Sequence, residues 1–494
     1  MPEQRDYKDT VFLPKTDFPM KAGLANKEPG ILARWESDGL YERLREARKS
    51  REQFILHDGP PYANGNIHIG HSLNKILKDL VVRTQSLLGK DAPYVPGWDC
   101  HGLPIEWKIE EQYRKKKRNK DEVPAAEFRA ECRDYAAKWV DVQREEFKRL
   151  GVMGEWDKPY LTMDFDAEAV IVEEFLKFAE SGQVYRGAKP VMWSPIEKTA
   201  LAEAEVEYQD IQSTQIDVAF EIVESPIEEL VGAHAVVWTT TPWTIPVNQA
   251  LAYGPKVEYA HFSLVVGVAG VPEGTSGSGI AGLVNQAAER LKDAGLDFDC
   301  KRIIVAKELV DAFIARLNVL AARVDVSDLG IEKAVFQITG EQIGEGRSAP
   351  FNRFVHSVKG ADLAGTVARH PMHHLGGFYA RPRPFLAGDF VTTDSGTGLV
   401  HMAPDHGEDD FDLCKANGIN PEFAVMADGR YRDDWEWLGG DDERRRSVIN
   451  KPFNAPDGPI CSDLREAGAL LSASADYAHS YPHSWRSKAK VIYR

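Results

Sequence analysis

The stretch from His57 to His71, which reads H-D-G-P-P-Y-A-N-G-N-I-H-I-G-H, constrains the fold of this chain more than any other. A short apolar run at 54–56 precedes it and suits a buried strand, and an extended run at 92–96 follows. Between them Ser72 can cap a helix that Gly89 ends. The apolar residues of this helix share one face: Leu73, Ile76, Leu77, Leu80, Val81 and Leu88. The order strand, glycine-bearing loop, helix and strand predicts part of a nucleotide-binding α/β domain.

Two histidines stand near the predicted start of this helix. His68 and His71 are three residues apart, so both can point to the same side of the first turn, and Gly70 leaves room for a flat ring. A helix N-terminus offers unpaired N–H groups and the positive end of a dipole, which suits phosphate. An isolated pair of this kind more often caps or packs. In this setting the pair suggests stabilisation of charge during attack at an α-phosphorus.

The blocks around these histidines resemble those of class I aminoacyl-tRNA synthetases, and among them the isoleucine-specific enzymes. H-I-G-H follows G-P-P-Y-A-N-G, and P-G-W-D-C-H-G-L-P-I-E stands at 96–106. Further matching blocks lie at 200–208, 238–246 and 396–411. The valine enzymes usually carry a P-P-P-N-V-T-G type of loop and the leucine enzymes a G-W-D-A-F-G-L-P block, so the isoleucine form fits this chain best.

The resemblance implies an ATP site and an amino acid site. The two histidines and Gly70 would bind ATP, which carries Mg²⁺, and the histidines would stabilise the transferring phosphate. Gly59, Pro60 and Asp99 would line the site for L-isoleucine, with Asp99 holding its α-ammonium group. A lone carboxylate after a tryptophan is usually a turn residue, but its place in the G-W-D-x-H-G-L-P block favours the binding role here.

A second group of polar residues lies further along the chain. Thr239, Thr240 and Thr241 follow an apolar strand, and Asn248 comes shortly after them, which puts hydroxyls and an amide at a strand end. Threonines in such a position are by default ordinary strand formers. The resemblance gives them a role in an editing site, where they and the asparagine would orient an ester or its attacking water.

The glycine-rich block at 396–411 contains two histidines and several carboxylates. A metal site is the natural alternative for such a set. The block instead resembles the hydrolytic editing site of the isoleucine, valine and leucine enzymes, so no metal is predicted. The resemblance implies that Asp410 binds the α-ammonium group of a mischarged aminoacyl group and that His401 limits side-chain size. Met402 and Asp405 stand where threonine and glycine are common, and we expect them to tune this site.

Composition narrows the class of protein. The net charge of −16 argues against non-specific coating of nucleic acid, although it leaves tRNA(Ile) as a partner. The sequence has no run of about 18 apolar residues and no signal-peptide core, so a cytoplasmic protein without a membrane partner is predicted. The cysteines are scattered, with no C-x-x-C pair: Cys100, Cys132, Cys300, Cys414 and Cys461. Many family members carry a two-cysteine knuckle after a tryptophan, where this chain reads W-S-P-I-E at 193–197, so no zinc is predicted there.

The predicted fold class is α/β, with the first half of a class I, Rossmann-like nucleotide-binding domain and a large inserted editing domain of α+β or β-barrel-like type. The predicted parts are an N-terminal extension at 1–50, the first catalytic half at 51–199, the inserted domain at 200–440 and a return segment at 441–494. Predicted helices lie at 30–47, 125–150, 281–294 and 307–323. Residues 268–300 look like additional material compared with the family pattern.

The K-M-S-K-S loop and the anticodon-binding domain of the family are not found in this sequence, so the chain is interpreted as the N-terminal portion of a longer, monomeric protein. Two functional hypotheses follow. The first is a synthetase half whose full-length form ligates isoleucine to tRNA(Ile) through isoleucyl-adenylate. The second is a stand-alone hydrolase of mischarged tRNA. A small nucleotidyltransferase of the H-I-G-H type is a weaker alternative, because such enzymes usually lack a large insertion.

Overall fold

The computed structural model describes residues 7–12, 16–17, 21–296, 298, 301–339, 356–440 and 446–494. The chain divides into two compact units, Met1–Arg186 and Gly187–Arg494. This division falls before the predicted boundary at 199/200, and the four predicted parts remain predictions. Cys300 lies outside the described residues.

The first unit is mainly helical. Its helices are α1 Leu24–Ser37, α2 Leu40–Arg48, α3 Ile69–Leu87, α4 Leu103–Lys115, α5 Ala125–Arg149 and α6 Phe165–Glu180. Strands β1 Gly97–Trp98 and β2 Tyr160–Leu161 pair in parallel. The extended segments on either side of α3 are joined by parallel bridges, Gln53 with Asp91 and Tyr62 with Asp99. The predicted loop and helix are confirmed, but the runs predicted as strands at 54–56 and 92–96 are extended without forming regular strands, and Ile55 is exposed.

The core of this unit surrounds the buried Trp98, whose ring lies near those of Phe147 and Trp156. Its indole N–H donates to Gln143 Oε1 at 2.9 Å, so the one polar atom of the ring is satisfied. Phe147 and Gln143 belong to α5, which confirms the helix predicted at 125–150. The core thus fixes the end of β1, where the W-D block begins.

Three expectations for the helices of this unit were wrong in detail. The helix predicted at 30–47 is two helices, because Gly39 adopts φ +55° and ends α1. Helix α3 begins at Ile69 with His68 as its N-cap, so Ser72 lies inside it. The apolar side chains predicted to share a face of α3 are exposed, as the values for Leu73 (59%) and Leu77 (53%) show. The face that packs inward contributes Lys75 and Val82 instead.

The second unit is built on a large mixed sheet. Its strands are β5 Val206–Glu224, β6 His234–Thr239, β7 Ala250–Tyr253, β8 Glu258–Ala269, β9 Arg302–Ala306, β10 Lys333–Thr339, β11 His356–Lys359, β12 Val367–Arg369, β13 Pro382–Ala387, β14 Leu399–Met402 and β15 Leu470–Ser484. Their order is β10-β8-β9-β6-β5-β12-β13-β7-β14, with β11 on β8 and β15 on β5. A smaller antiparallel sheet joins β3 Met192–Ser194 to β4 Thr199–Ala200 and β16 Ile492–Tyr493.

Helices α7 Gly277–Asp293 and α8 Val310–Ala321 cover the β8–β9–β10 end of the large sheet, where Ala287, Leu291 and Phe313 are buried. The helices predicted at 281–294 and 307–323 are therefore present, the latter preceded by a 3-10 turn at Lys307–Leu309. Since α7 shares this core, the described part of the additional segment at 268–300 is packed into the domain. The remaining helices of the described chain in this unit are α9 Glu408–Ala416 and α10 Pro459–Glu466.

Candidate functional site

The two histidines predicted to bind ATP form a hydrogen-bonded pair at the start of α3. The Gly70 N–H donates to His68 Nδ1 at 3.0 Å, and the His68 N–H donates to His71 Nδ1 at 3.3 Å. Their rings stack with centroids 3.9 Å apart. Because both Nδ1 atoms accept, each neutral ring carries its proton on Nε2. The two Nε2–H groups are the donors that this arrangement leaves for a ligand.

The environment favours the neutral form of His71. Burial lowers its pKa, and the neighbouring His68 and Lys75 lower it further. Gly70 is required by the same geometry, since a Cβ there would lie 2.9 Å from His68 Cε1. A side chain at position 70 would therefore displace the ring that caps the helix.

A buried ion cluster that the sequence reasoning missed supports the loop before these histidines. Asp58 is 4% exposed and forms ion pairs with Lys75 and Lys78 of α3. It also accepts the Gly97 N–H at 2.9 Å. Burial alone would raise the pKa of Asp58, but the two lysines and this N–H outweigh it and lower the pKa. The cluster ties the loop to both α3 and β1.

The residues predicted to line an amino acid site lie along the junction of that loop with the end of β1. A Cβ on Gly97 would lie 3.4 Å from Pro60 Cβ, so loop and strand approach closely beside Gly59. Asp99 N–H donates to Pro61 O at 2.8 Å, and one Asp99 carboxylate oxygen accepts the His101 N–H at 3.2 Å. The structure therefore brings Gly59, Pro60 and Asp99 to one edge, with Asp99 half-buried.

In the second unit the threonines lie where β6 ends. The hydroxyl oxygens of Thr239 and Thr241 are 3.0 Å apart, and the Thr241 N–H donates to Thr239 Oγ1 at 3.1 Å. Thr244 continues the chain, because its hydroxyl donates to Thr241 O at 2.9 Å and lies 2.9 Å from His401 Nε2. Thr240 and Thr241 both line a cavity of about 40 Å³. Thr244 was missed, although the second half of the T-T-T-P-W-T pattern contains it.

His401 is buried on β14 with one ring nitrogen unpaired among the described side chains. Since the Thr244 hydroxyl already donates to a carbonyl, it accepts from the ring, which places the proton on Nε2. The other nitrogen, Nδ1, is buried without a partner, and so is Asn248 Oδ1. Burial lowers the pKa of His401 to about 4, with a contribution from His406. A buried acceptor without a protein partner requires an explanation, and a contact that a ligand would supply is one.

Asn248 itself connects the 3-10 turn Pro242–Val247 to the strands that follow. Its side-chain N–H donates to Ala250 O at 2.8 Å, and the next residue, Gln249, donates its N–H to Met402 O at 2.8 Å. Strand β7 pairs with β14 in a register that sets Leu251 opposite His401. These contacts position the asparagine just before β7, whose neighbour β14 contains the histidine.

Asp410 lies in the first turn of α9, and one of its carboxylate oxygens accepts the Ala403 N–H at 2.7 Å. Burial raises its pKa to about 7; the Ala403 hydrogen bond opposes this effect and the nearby Asp409 adds to it. A carboxyl group held in this state gains charge when a cation binds beside it. Asp410 is thus suited to an ammonium group.

Two side chains, Asp405 and His406, fix the loop between His401 and Asp410. The sequence did not predict the contacts that they make. Asp405, one of the two unusual residues, accepts the N–H groups of Glu422 at 3.1 Å and Phe423 at 2.6 Å. His406 Nδ1 lies 2.7 Å from Tyr493 O, and its ring packs against Trp243 at 4.7 Å between centroids. Asp405 and His406 hold the loop that carries the predicted site residues.

Two absences hold for the part of the chain that the structure describes. No group of three or more His, Cys, Asp or Glu side chains in these ranges could hold a metal ion, including the described block at 396–411. Within the same ranges no helix combines the length and the apolar character needed to cross a bilayer.

A model of the family described as tRNA synthetases class I (I, L, M and V) matches residues 30–443. The chain belongs to this family. The match confirms the resemblance and the class I α/β fold, and the second unit contains a large mixed sheet.

Curated relatives of this class I tRNA synthetase chain are isoleucine-tRNA ligases. That of Zymomonas mobilis is 57% identical over 493 residues, which cover 100% of this chain and 45% of the relative. That of Gluconobacter oxydans is 48% identical over 505 residues, covering 100% and 46%. That of Pelagibacter ubique is 45% identical over 487 residues, covering 99% and 46%. The chain therefore spans just under half the length of these relatives.

Proposed function

We propose that this chain is part of an enzyme that ligates L-isoleucine to tRNA(Ile) with ATP, and that its second unit hydrolyses valyl-tRNA(Ile) formed in error. The chain-long similarity to isoleucine-tRNA ligases supports the substrate class. The observation that carries the hydrolytic part is the single buried network of Thr241, Thr244 and His401 near Asp410, with bare acceptors on His401 and Asn248.

In the proposed ligation, the carboxylate of isoleucine attacks the α-phosphorus of ATP, and pyrophosphate leaves. The Nε2–H groups of His68 and His71 would donate to phosphate oxygens as charge moves onto them, at the positive end of α3. Asp99 would hold the α-ammonium group. Magnesium would arrive on the ATP phosphates, which is its usual mode of binding. Because the imidazoles would donate hydrogen bonds from fixed positions, catalysis here rests on positioning more than on ion pairing.

A second site is needed because a pocket for isoleucine cannot strongly reject valine. One methylene is worth roughly 1 to 3 kcal/mol, a limit for which isoleucine enzymes are themselves the standard example. In the proposed hydrolysis, water attacks the ester carbonyl carbon, the bond to the ribose oxygen breaks, and that oxygen takes up a proton. Valine and free tRNA are the products.

The described side chains suit three tasks in that reaction. Asp410 would bind the α-ammonium group, and the cation would stabilise the ionised form of a carboxyl whose pKa burial raises to about 7. The neutral, fixed ring of His401 would bound the space for the amino acid side chain. The hydroxyls of Thr239 and Thr241 would orient the ester or the water.

The test is release of valine from valyl-tRNA(Ile) by the purified chain, with an Asp410→Ala variant. We expect hydrolysis by the wild-type chain and its loss in the variant. Asp412→Asn is the matched control, because Asp412 is an exposed residue of the same helix. Absence of hydrolysis by a folded wild-type chain would remove the hydrolytic proposal for this chain alone.

Valine release, measured together with formation of isoleucyl-adenylate, separates the ligase hypothesis from the stand-alone hydrolase hypothesis. Hydrolysis by a chain that forms no isoleucyl-adenylate would favour the stand-alone hydrolase, for which the separate core of the second unit is the supporting observation. Exchange of pyrophosphate into ATP that depends on isoleucine, and that is lost in His68→Ala, would favour a ligase.

A further inference from the structure

Two short turns in the second unit have the same hydrogen-bond pattern. In the first, Ser194 Oγ accepts the Glu197 N–H at 3.2 Å, and Ser194 O accepts the Lys198 N–H at 2.8 Å. Lys198 is one of the few described residues other than glycine with a positive φ, at 55°. The turn therefore folds the main chain around the Ser194 side chain.

The second turn repeats each feature. Ser484 Oγ accepts the Ser487 N–H at 3.4 Å, and Ser484 O accepts the Lys488 N–H at 2.9 Å. Lys488 has φ 58°, nearly the value of its counterpart in the first turn. Two turns with a side chain at the first and fourth positions present four side chains, at 194, 197, 484 and 487.

The two turns meet at the Glu197 carboxylate. This side chain is 3% exposed, and Ser194 and Ser484 are fully buried. Glu197 Oε1 accepts the Ser484 hydroxyl at 2.7 Å and the Ser487 N–H at 3.1 Å. The contact joins the segment around β3 and β4 to the end of β15, beside the sheet in which β3 pairs with β16.

Paired turns with two residues between their side chains are also the form in which cysteines and histidines hold zinc. The resemblance described above places a two-cysteine knuckle of many family members at the first of them, but the residues present here do not fit zinc. Zinc in structural sites takes thiolate or imidazole ligands, whereas these positions offer three neutral hydroxyls and one carboxylate. Its Oε1 atom already accepts two hydrogen bonds from the opposite turn, while Oε2 is buried without a partner among the described side chains.

We propose that Ser194, Glu197, Ser484 and Ser487 form a metal-free clasp in which a buried carboxylate takes the place of a metal ion. The charges are the reverse of those in a zinc site. Here hydrogen-bond donors of the second turn surround the carboxylate of the first, whereas in a zinc site negatively charged thiolates surround a cation. The clasp is independent of the proposed catalytic activity. It joins the turn after β15 to the segment at the start of the second unit, where β3 pairs with β16.

The first measurement is elemental analysis of the purified chain expressed with added zinc, followed by thermal unfolding with and without a chelator. We expect zinc well below one ion per chain and the same melting temperature in both conditions. A stoichiometric zinc ion whose removal lowers the melting temperature would overturn the proposal.

The second measurement compares two substitutions of the central residue with a control. Glu197→Ala removes both acceptor contacts, and we expect the second unit to melt lower by roughly 5 °C or more. Glu197→Gln keeps an oxygen in place and should melt between this variant and the wild type. Glu207→Gln, which removes an exposed ion pair to Lys488 in the same turn, should change little. Equal melting of Glu197→Ala and the wild type would contradict the clasp.

A third variant serves if Glu197→Ala does not fold. The combined change Ser194→Cys, Glu197→Cys, Ser484→Cys and Ser487→Cys would put four thiols at the positions of the clasp. We expect it to bind one Co²⁺ with the absorption of a tetrahedral thiolate site and to gain thermal stability with Zn²⁺. Failure to form that site in a folded protein would show that the four positions do not converge, and the proposal would be wrong.

Discussion

The two candidate sites use histidine in opposite ways. At the start of α3 the histidines lie near the surface, their Nδ1 atoms accept backbone N–H groups, and two Nε2–H donors remain. On β14 the single His401 is buried, its Nε2 is bonded to Thr244, and a bare acceptor remains. Burial lowers the pKa of His71 and of His401, which favours their neutral rings. Two exposed N–H donors are suited to bind a large anion, whereas a buried ring that is fixed by a hydrogen bond can restrict the size of an amino acid side chain.

The two sites also place their carboxylates differently. Asp58, beneath the first site, is neutralised by two lysines, and its pKa is lowered. Asp410, in the second, has no lysine or arginine ion pair among the described contacts, and burial raises its pKa to about 7. A buried carboxylate with a positively charged partner can stabilise the structure, whereas one without such a partner is suited to bind a cationic ligand. The first is therefore expected to support the fold and the second to bind ligand.

The largest expected effect tests the structural side of this comparison. Asp58→Asn would leave Lys75 buried beside Lys78 without its counter-charge, which should lower the free energy of unfolding of the first unit by about 3 to 5 kcal/mol. Chemical denaturation monitored by tryptophan fluorescence measures this change. The double variant Asp58→Asn with Lys75→Met should recover part of the loss. A single variant as stable as the wild type would show that the pair is not structural.

The next effect tests the binding side. Asp410→Ala should reduce valine release from valyl-tRNA(Ile) by about 100-fold, the equivalent of about 3 kcal/mol for a lost contact between a carboxylate and an ammonium group. Single-turnover rates measure the change, and Asp412→Asn should match the wild type. If both variants hydrolyse equally well, the ammonium group is held elsewhere.

These two residues also show how far the sequence reaches. The loop followed by a helix and the threonine and histidine blocks could be predicted, because periodicity and motif spacing are local. The Asp58–Lys75–Lys78 cluster and the contact between His406 and Tyr493 O could not, because partners 17 and 87 residues apart meet only after folding. The exposed apolar face of α3 was mispredicted for a related reason: periodicity identifies a face but not what covers it.

The pH dependence of unfolding separates the contribution of Asp410 to the stability of the fold from its role in binding. Its pKa in the folded protein is about 7, above the ordinary value near 3.8. A raised pKa stabilises the fold fully below the unfolded value, and this stability is lost as the pH rises to 7. The limit is about 4 kcal/mol, and partial exposure reduces it to about 2. Asp410→Asn should therefore unfold at higher temperature than the wild type at pH 8 but not at pH 4. A constant difference between the two would contradict the shifted pKa.

A smaller effect sharpens the account of the fixed histidine. Thr244→Val keeps the shape of the side chain but removes the hydroxyl that accepts His401 Nε2–H, which costs about 1 to 2 kcal/mol for an unsatisfied buried donor. We expect valine release to slow by about tenfold and hydrolysis of isoleucyl-tRNA(Ile) to rise, because a mobile ring no longer limits side-chain size. Thr244→Ser should restore both properties. Unchanged discrimination in Thr244→Val would mean that another residue fixes the ring.

The smallest effect concerns His68 and His71, which lie near the surface. The loss of a hydrogen bond there should lower the stability less than it does at the buried His401. His68→Ala removes the acceptor for the Gly70 N–H, and loss of an N-cap costs about 1 kcal/mol. His68→Asn should cap the helix as well as histidine does while removing the Nε2–H donor, so its melting temperature should equal that of the wild type. If ATP binds to the first unit, His68→Asn should lower the affinity for ATP, and His68→Ala should lower it by the same amount. Equal ATP affinity in the wild type and His68→Asn would leave His68 as a cap alone, and the contrast between the two sites would then rest on His71.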